Sequence, residues 1–445
     1  MNLWSTNDPE RKLRGIESHP SRKNKGAARV GHSEFNAGAI TMRRIAFGLL
    51  LLFAFAIPWE YSLDLGEPLG NIARIAGLLL LLVAIPAVLQ SKQLRAPGPM
   101  QWAVLGFYLY FCCSYFWTID QHATLDKIRS LFQELMTVWL VWEFCESPRD
   151  FRNLLRAAVA GTWVLALLTL ASFATAEAIA NQIRFVAEGQ DPNDVARFLN
   201  LGFPMAALLY GSERRWPGRL LALGYLPLGL FAVLLTASRG GALAAGVALV
   251  GCGILLARRH ARVLLAAVVA LPALAAAIWL AVPQGTFERL GTITEQLQGG
   301  DLNDRVNIWT LGWHAFTRAP WFGTGAGTFV SAAGLAPVDT AHNTALSILV
   351  NGGLCGLFLA FAILALAVWG IAQTKGPIRL AMGIALSVWA LTSLVATVEE
   401  NRTTWLLFAL IAAASRLAVE EPEALDVCFP AAERTMAENV LAVSR

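Results

Sequence analysis

The stretch that decides the fold lies in the middle of the chain, where residues 218–257 read GRLLALGYLPLGLFAVLLTASRGGALAAGVALVGCGILLA. Two apolar runs, 218–237 and 240–257, are joined by a very short linker around Thr236 and Arg239. A helix needs about 20 mostly apolar residues to cross the hydrocarbon core of a bilayer. Both runs approach that length, so the stretch predicts a hairpin of two membrane-spanning helices.

The same apolar pattern recurs along the whole chain. Its 445 residues are 56% hydrophobic and 15% charged, whereas soluble domains are about 25% charged. This composition excludes a cytosolic globular enzyme, a disordered protein and a nucleic-acid-binding protein as the main interpretation. We therefore predict an all-α polytopic membrane protein with about twelve transmembrane helices. The predicted spans are 45–60, 71–90, 101–118, 130–146, 153–174, 195–211, 218–237, 240–257, 262–282, 345–371, 378–397 and 402–418. The tenth is long enough to tilt or to break at Gly352-Gly353.

The loops between these spans differ in their basic residues. With the N-terminus in the cytoplasm, the inner loops hold thirteen Lys or Arg residues and the short outer loops hold seven. The positive-inside rule favours this orientation, so we expect both termini in the cytoplasm. The long segment 283–341 then lies on the outer side, as part of a membrane domain that covers residues 45–418.

The two ends of the chain differ from this membrane domain. Residues 1–44 carry nine Lys or Arg and four Asp or Glu, and such a polar segment cannot bury an apolar core. We expect it to be a disordered basic tail in the cytoplasm, and residues 419–445 to be a second cytoplasmic tail. Translation starts at Met1 or, alternatively, at Met42.

Arg239 is the first candidate functional residue, because it lies in the tight turn of the central hairpin. Neighbouring glycines let a backbone turn sharply and approach a ligand closely. An Arg guanidinium is a planar fork that suits phosphate oxygens. A second interpretation stays open, in which Arg239 extends to lipid headgroups.

The long outer segment contains a second candidate, Arg305. Apolar residues recur around it at positions 306, 309, 313 and 316, a spacing that predicts an amphipathic helix on the membrane surface. Asn303 or Asp304 can cap this helix. Arg305 falls in the first turn, where a bound anion is favoured both by the guanidinium and by the helix dipole. For the aromatic residues Trp309, Trp313 and Phe316 we favour a role as interfacial membrane anchors.

His342 and Asn343 begin the tenth predicted span. A neutral imidazole can accept a proton from a hydroxyl group, as a general base does. A lone His is more commonly an interfacial residue with satisfied hydrogen bonds. The position of His342 behind a long outer segment that carries Arg305 favours the catalytic interpretation.

Three further polar residues are candidates for substrate contacts at the outer side. Arg184 and Asn193 belong to the loop before the sixth span, where Arg184 can bind phosphate and Asn193 can bind sugar hydroxyls or cap the helix. Arg402 follows Glu399 and Glu400, so a local ion pair is the alternative for it. No acidic pair, cysteine spacing or P-loop predicts a metal or nucleotide site. Arginines with a histidine, acting without a metal or other cofactor, suit a lipid diphosphate.

The ordered set of motifs resembles the O-antigen ligase and O-antigen polymerase superfamily of bacterial envelope glycosyltransferases. The resemblance covers about residues 43–418 and rests on Ser238-Arg239-Gly240, on Arg305 and Trp309 followed by Pro320, Gly323 and Gly325, and on His342, Asn343 and Leu346 with Gly352-Gly353. It implies a GT-C-like membrane fold that acts at the periplasmic face of the inner membrane. It also implies that Arg239 and Arg305 hold a diphosphate, that His342 deprotonates the acceptor hydroxyl, and that Asn193 matches an Asn which relatives often carry after a proline.

The resemblance therefore implies an O-antigen ligase. Its substrates would be an undecaprenyl-diphosphate-linked glycan as donor and lipid A-core as acceptor, in contact with membrane lipids. Arg184 would assist at the diphosphate, and Asn193, Asn343 and Arg402 would be further substrate contacts. An O-antigen polymerase acting on undecaprenyl-diphosphate repeat units is the near alternative, although one long outer loop resembles ligases more. A flippase for the same lipid is a third interpretation, but the two-fold repeat typical of transporters is not visible.

Overall fold

The computed structural model describes residues 23–66, 70–175, 184–257, 261–298, 304–337 and 339–430. Within these ranges the protein is all-α and contains no β-strand. Its helices are α1 (Lys23–Ala56), α2 (Ile72–Ser91), α3 (Pro99–Cys113), α4 (Gln121–Phe144), α5 (Pro148–Ala174), α6 (Pro192–Ser212), α7 (Trp216–Leu235), α8 (Arg239–Ala257), α9 (Ala261–Ala281), α10 (Gln284–Gly291), α11 (Ile293–Gln298), α12 (Arg305–Arg318), α13 (Phe329–Ala333), α14 (Thr344–Gln373), α15 (Gly376–Ser393), α16 (Arg402–Glu420) and α17 (Pro422–Cys428).

The long helices coincide with the predicted spans, since α1 to α9 and α14 to α16 each overlap one of them. In the described part of the chain, eight helices are long and apolar enough to cross a membrane: α1 from Ile40, α2, α5, α7, α8, α14, α15 and α16. The protein is therefore an all-α polypeptide of the multi-pass membrane type. The helices α3, α4, α6 and α9 are not among the eight, so twelve spans and a GT-C arrangement stay predictions.

Two helices form the centre of the bundle, because they are buried along most of their length. α6 packs against α7, α8 and α15, and α16 packs against α4 and α14. In water, helix packing is stabilised mainly by the burial of apolar side chains. Within a membrane, van der Waals contact between closely packed helices provides the stabilisation instead. The amino ends of α6 and α16 lie beside the two clefts described below.

The helix α14 is broken inside its span at Gly353, which is one of the two outcomes, tilt or break, that the sequence left open. Gly353 has φ +62° and ψ −161°, a conformation that is essentially restricted to glycine. A Cβ at this position would lie 2.4 Å from the carbonyl carbon of Trp321. Four backbone hydrogen bonds of 2.8 to 3.1 Å join residues 320–325 to residues 350–355 across the break. The glycine-rich turn thus satisfies the backbone groups that the break leaves without helical partners.

The first helix begins before residue 45, where the predicted membrane domain begins. α1 starts at Lys23, inside the segment 1–44 that the composition assigns to a disordered tail, and residues 1–22 lie outside the described residues. No proline occurs between Pro20 and Pro58, so nothing in residues 23–56 forces the helix to end. The helical extension from residue 23 is a difference from the sequence-based expectation.

The second predicted tail is packed against the bundle where it is described. α16 continues to Glu420, and α17 follows it at once. The Cys428 thiol donates a hydrogen bond of 3.4 Å to the carbonyl of Pro148, and the ring of Phe429 contacts that of Phe151. Residues 431–445 lie outside the described residues.

The predicted amphipathic helix of the long segment is present as α12. Of the two residues predicted as caps, Asp304 is not one, because it has φ +62° and its side chain makes no cap hydrogen bond. The other, Asn303, lies outside the described residues. Ile308, Ala315 and Phe316 are buried against α13 and α14, whereas Val306 and Trp313 are exposed. The apolar repeat is thus divided between a face that packs on the protein and a face that is free to meet a membrane surface.

Candidate active site

Four arginines line one cleft at the end of the bundle where α6, α8 and α14 begin. The cleft has a volume of about 770 Å³ up to its open mouth, and its arginines are Arg184, Arg239, Arg289 and Arg305. They come from four separate elements: the loop before α6, the first residue of α8, α10 and the first residue of α12. The structure therefore brings together the three predicted diphosphate-binding residues and adds Arg289, which the sequence motifs did not indicate.

The turn that carries Arg239 is fixed on α6 by polar contacts. The Ser238 hydroxyl donates to the side-chain oxygen of Asn193 at 2.8 Å and accepts the backbone N–H of Gly241 at 3.1 Å. A Cβ on Gly241 would lie 2.4 Å from the methyl group of Ala196, so glycine permits the close approach of α8 to α6. Asn193 thus lines the cleft and holds this turn in place.

Arg184 is anchored at the wall of the cleft. Its Nε donates to the carbonyl of Thr236 at 2.9 Å, and a terminal nitrogen lies 3.5 Å from the side-chain oxygen of Asn193. Burial, together with repulsion from Arg289, Arg305 and Arg239, lowers the pKa of Arg184 to about 10, against the opposing effect of Asp191. A site that disfavours its own cations is one that favours a bound anion.

Arg289 and Arg305 share this unfavourable environment. Burial lowers the pKa of Arg289, and Arg239 lowers it further. Burial also lowers the pKa of Arg305, with a contribution from Arg239 and Arg289. Arg289 donates its Nε to the carbonyl of Ala237 at 3.2 Å. In the part of the chain that the structure describes, the buried Nε of Arg239 has no hydrogen-bond partner.

His342 lies close to this cleft without lining it. The residue is half-buried, has φ +46°, and its Nδ1 is 3.2 Å from the Thr340 hydroxyl oxygen. Burial lowers the pKa of His342, and the nearby Arg305 lowers it further, whereas Asp191 and Asp339 act in the opposite direction. The imidazole is therefore neutral near pH 7, which is the form that a general base needs.

The helix α12 connects His342 to the arginines. Arg305 is its first residue, and one turn later the indole N–H of Trp309 donates to the carbonyl of Ala341 at 3.0 Å. Trp309 thereby holds the backbone directly before His342. The sequence assigned Trp309 to a motif and favoured a membrane anchor for it, so this positioning contact was not expected.

Asn343 caps the first turn of α14. Its side-chain oxygen accepts the backbone N–H of Leu346 at 2.9 Å, and its amide nitrogen donates to the carbonyl of Leu394 at 3.3 Å. The first contact is an N-cap, and the second ties α14 to the loop that lines the arginine cleft.

Arg402 lies elsewhere, in a separate cleft. Its guanidinium forms an ion pair with Glu60 and a hydrogen bond with the side chain of Gln133. The sequence-based alternative, an ion pair of Arg402 with the nearby Glu399 or Glu400, is wrong. Arg402 pairs with Glu60 instead, and Glu400 pairs with Lys127 at 2.5 Å.

A metal site would need several ligands close together. In the ranges described above, no three His, Cys, Asp or Glu side chains are grouped so that they could hold a metal ion.

Residues 224–361 match a family model described as O-antigen ligase. The matched segment contains Arg239, Arg289, Arg305 and His342, which are three of the four arginines of the cleft and the neighbouring histidine. A search of curated proteins gave no match to the chain.

Proposed function

We propose that this chain, which belongs to the O-antigen ligase family through its residues 224–361, is a ligase that transfers a glycan from undecaprenyl diphosphate to a sugar hydroxyl of lipid A-core. The observation that carries the proposal is the convergence of Arg184, Arg239, Arg289 and Arg305 on one cleft beside His342. Four half-buried cations that converge on one cleft favour a strongly anionic ligand, and a diphosphate supplies such a charge.

The proposed reaction is a direct displacement at the anomeric carbon of the donor. His342 accepts the proton of the acceptor hydroxyl, and the oxygen attacks the anomeric carbon as the bond to the diphosphate oxygen breaks. Undecaprenyl diphosphate leaves with the electron pair of that bond, and the four arginines stabilise the charge that develops on it. A single displacement inverts the configuration of the anomeric carbon.

The location of the cleft supports action at the periplasmic face. The cleft receives residues from α10 and α12, which belong to the segment 283–341, and the distribution of basic residues favours a position of that segment outside the cytoplasm. A donor lipid in the outer leaflet of the inner membrane would then present its diphosphate at the level of the arginines.

The test is reconstitution of the purified protein with the lipid-linked donor and lipid A-core. We expect His342→Ala to abolish transfer and to leave donor binding nearly unchanged, and Arg239→Gln with Arg305→Gln to lose both. The matched control is Arg129→Gln, because Arg129 is exposed, pairs with Asp126 and lines neither cleft.

The same assay separates the alternatives. Lengthening of the lipid-linked glycan without lipid A-core would identify a polymerase and contradict the ligase proposal. Full transfer by a folded His342→Ala protein would remove the proposed base, and movement of the donor lipid across the bilayer without transfer would favour a flippase.

A further inference from the structure

A second polar cleft lies at the same end of the bundle as the arginine cleft. It has a volume of about 1220 Å³ up to its open mouth and is larger than the first. Its polar lining includes Tyr61, Asn71, Arg74, Gln133, Glu188 and Arg402. Its helices, α2, α4 and α16, supply nothing to the arginine cleft, so the two clefts have separate walls.

The loop 184–190 separates the two clefts and contributes to both. Arg184 lines the first cleft, and Glu188 with Gly189 lines the second. Arg184 and Glu188 are four positions apart, and four residues of fully extended chain span at most about 14 Å. The Cα atoms of these two lining residues therefore lie within about 14 Å of each other. The loop is held between them, because Gln190 donates its side-chain N–H to the Ser62 hydroxyl at 3.2 Å and Phe185 donates its backbone N–H to Leu235 at 2.9 Å.

The charges of the second cleft differ from those of the first. Arg74 and Arg402 are accompanied by the carboxylates of Asp64 and Glu188 in the lining, and the buried Glu60 pairs with Arg402 below it. The lining therefore has as many carboxylates as arginines, with Glu60 as a further carboxylate below it, and the cleft has no excess of cations to attract a diphosphate. Carboxylates accept hydrogen bonds, guanidinium groups donate them, and hydroxyl and amide groups do both.

This mixture of donors and acceptors suits a ligand that carries many neutral hydroxyl groups. Arg402 is fixed at the wall of the cleft by Glu60 and Gln133, while the side chains of Arg74 and Glu188 are exposed. The exposed Tyr61 offers an aromatic surface beside them. Small-molecule sites typically combine such apolar surface with a few convergent polar groups.

We propose that the second cleft binds the saccharide part of a substrate, at a short distance from the diphosphate in the arginine cleft. This proposal rests on the proposed glycosyl transfer and deepens it, since it names a second binding site for the reaction. The saccharide is either the glycan of the donor or the core oligosaccharide of the acceptor, and both have the hydroxyl-rich chemistry that the lining recognises.

The test is binding of three soluble probes to the full-length protein in nanodiscs, measured by calorimetry. The probes are core oligosaccharide released from lipid A, a lipid-free oligosaccharide of the glycan repeat, and inorganic pyrophosphate. The cleft variant is Arg74→Ala with Glu188→Ala, and the control variant is Arg129→Ala. We expect the cleft variant to bind one of the two oligosaccharides at least about tenfold more weakly, because it lacks charged hydrogen-bonding groups.

The outcomes distinguish this proposal from the proposed function. Whichever oligosaccharide loses affinity identifies the source of the saccharide, and pyrophosphate affinity should stay unchanged in the cleft variant. If neither oligosaccharide binds the wild-type protein, or if both bind the cleft variant and the wild type equally, the saccharide cleft is overturned. If pyrophosphate does not bind the wild type while the saccharide effect is present, the diphosphate site fails and the saccharide cleft stands.

Discussion

Replacing Arg289 by Gln should change ligand binding far more than stability. The variant loses the hydrogen bond from Arg289 to the Ala237 carbonyl, which contributes about 0.5–1.5 kcal/mol to the free energy of unfolding. It also removes a cation that lowers the pKa of Arg184, and relief of such repulsion returns about 0.2–1 kcal/mol. These two effects oppose each other, so we expect the free energy of unfolding to decrease by no more than about 1.3 kcal/mol.

The loss in binding has no such compensation. A charge-assisted hydrogen bond contributes about 1.5–3 kcal/mol, which corresponds to a decrease in diphosphate affinity of about 10- to 100-fold. Calorimetry with pyrophosphate and with undecaprenyl diphosphate measures the affinity, and thermal unfolding in the same detergent measures the stability. Arg129→Gln is the control and should leave both unchanged. An Arg289→Gln protein that unfolds more easily and binds the diphosphate normally would refute an anion-binding role for Arg289.

Three further predictions concern the histidine, its support and the broken helix. Because burial and Arg305 lower the pKa of His342, the rate of transfer should be constant near pH 7 and fall only as the pH decreases through that lowered pKa. The Arg305→Gln variant should have a higher pKa of His342, measured by NMR titration. Trp309→Phe should cost about 0.5–1.5 kcal/mol of stability and reduce kcat while the donor affinity is kept, since it loses the bond to the carbonyl before His342. Gly353→Ala should destabilise the protein by at least about 1–3 kcal/mol in thermal unfolding, whereas Gly383→Ala, with open space around its Cβ position, should be neutral or slightly stabilising. Equal melting temperatures for these two glycine variants would contradict the structural role of the break.

The helices could be predicted because hydropathy is a local property of the chain. The runs 218–237 and 240–257 became α7 and α8 with boundaries shifted by a few residues, and the Gly352-Gly353 pair marked the break in α14. The cap of α12 was not predictable in the same way. Asp304 is of a residue type that often caps helices, but its backbone is left-handed and its side chain makes no cap hydrogen bond.

The site was predicted where its residues lie in local motifs and missed where tertiary contacts define it. Arg239 and Arg305 stand beside glycines or at a helix start, which are visible in the sequence. Arg289 follows no such signal, because it joins the site only through the packing of α10 beside the carbonyl of Ala237. Arg402 and Glu60 are 342 positions apart, and no pattern along one chain indicates such a pair.

Backbone strain lies next to the charged groups of the site, and this supports a role in binding. The non-glycine residues with positive φ in the described ranges are Lys92, Ala237, Asp304 and His342. Lys92 follows the last residue of α2 in the left-handed conformation that is common at helix ends. The other three lie at the site: Ala237 is two residues before Arg239, Asp304 directly precedes Arg305, and the third is His342. Each costs about 1–2 kcal/mol, and the repulsion among the arginines adds to this cost. Such strain persists only where the surrounding structure enforces it, and it concentrates at active sites. A bound diphosphate would remove the repulsion but not the backbone strain, so ligand should raise the stability of the protein while these three backbone conformations stay as they are.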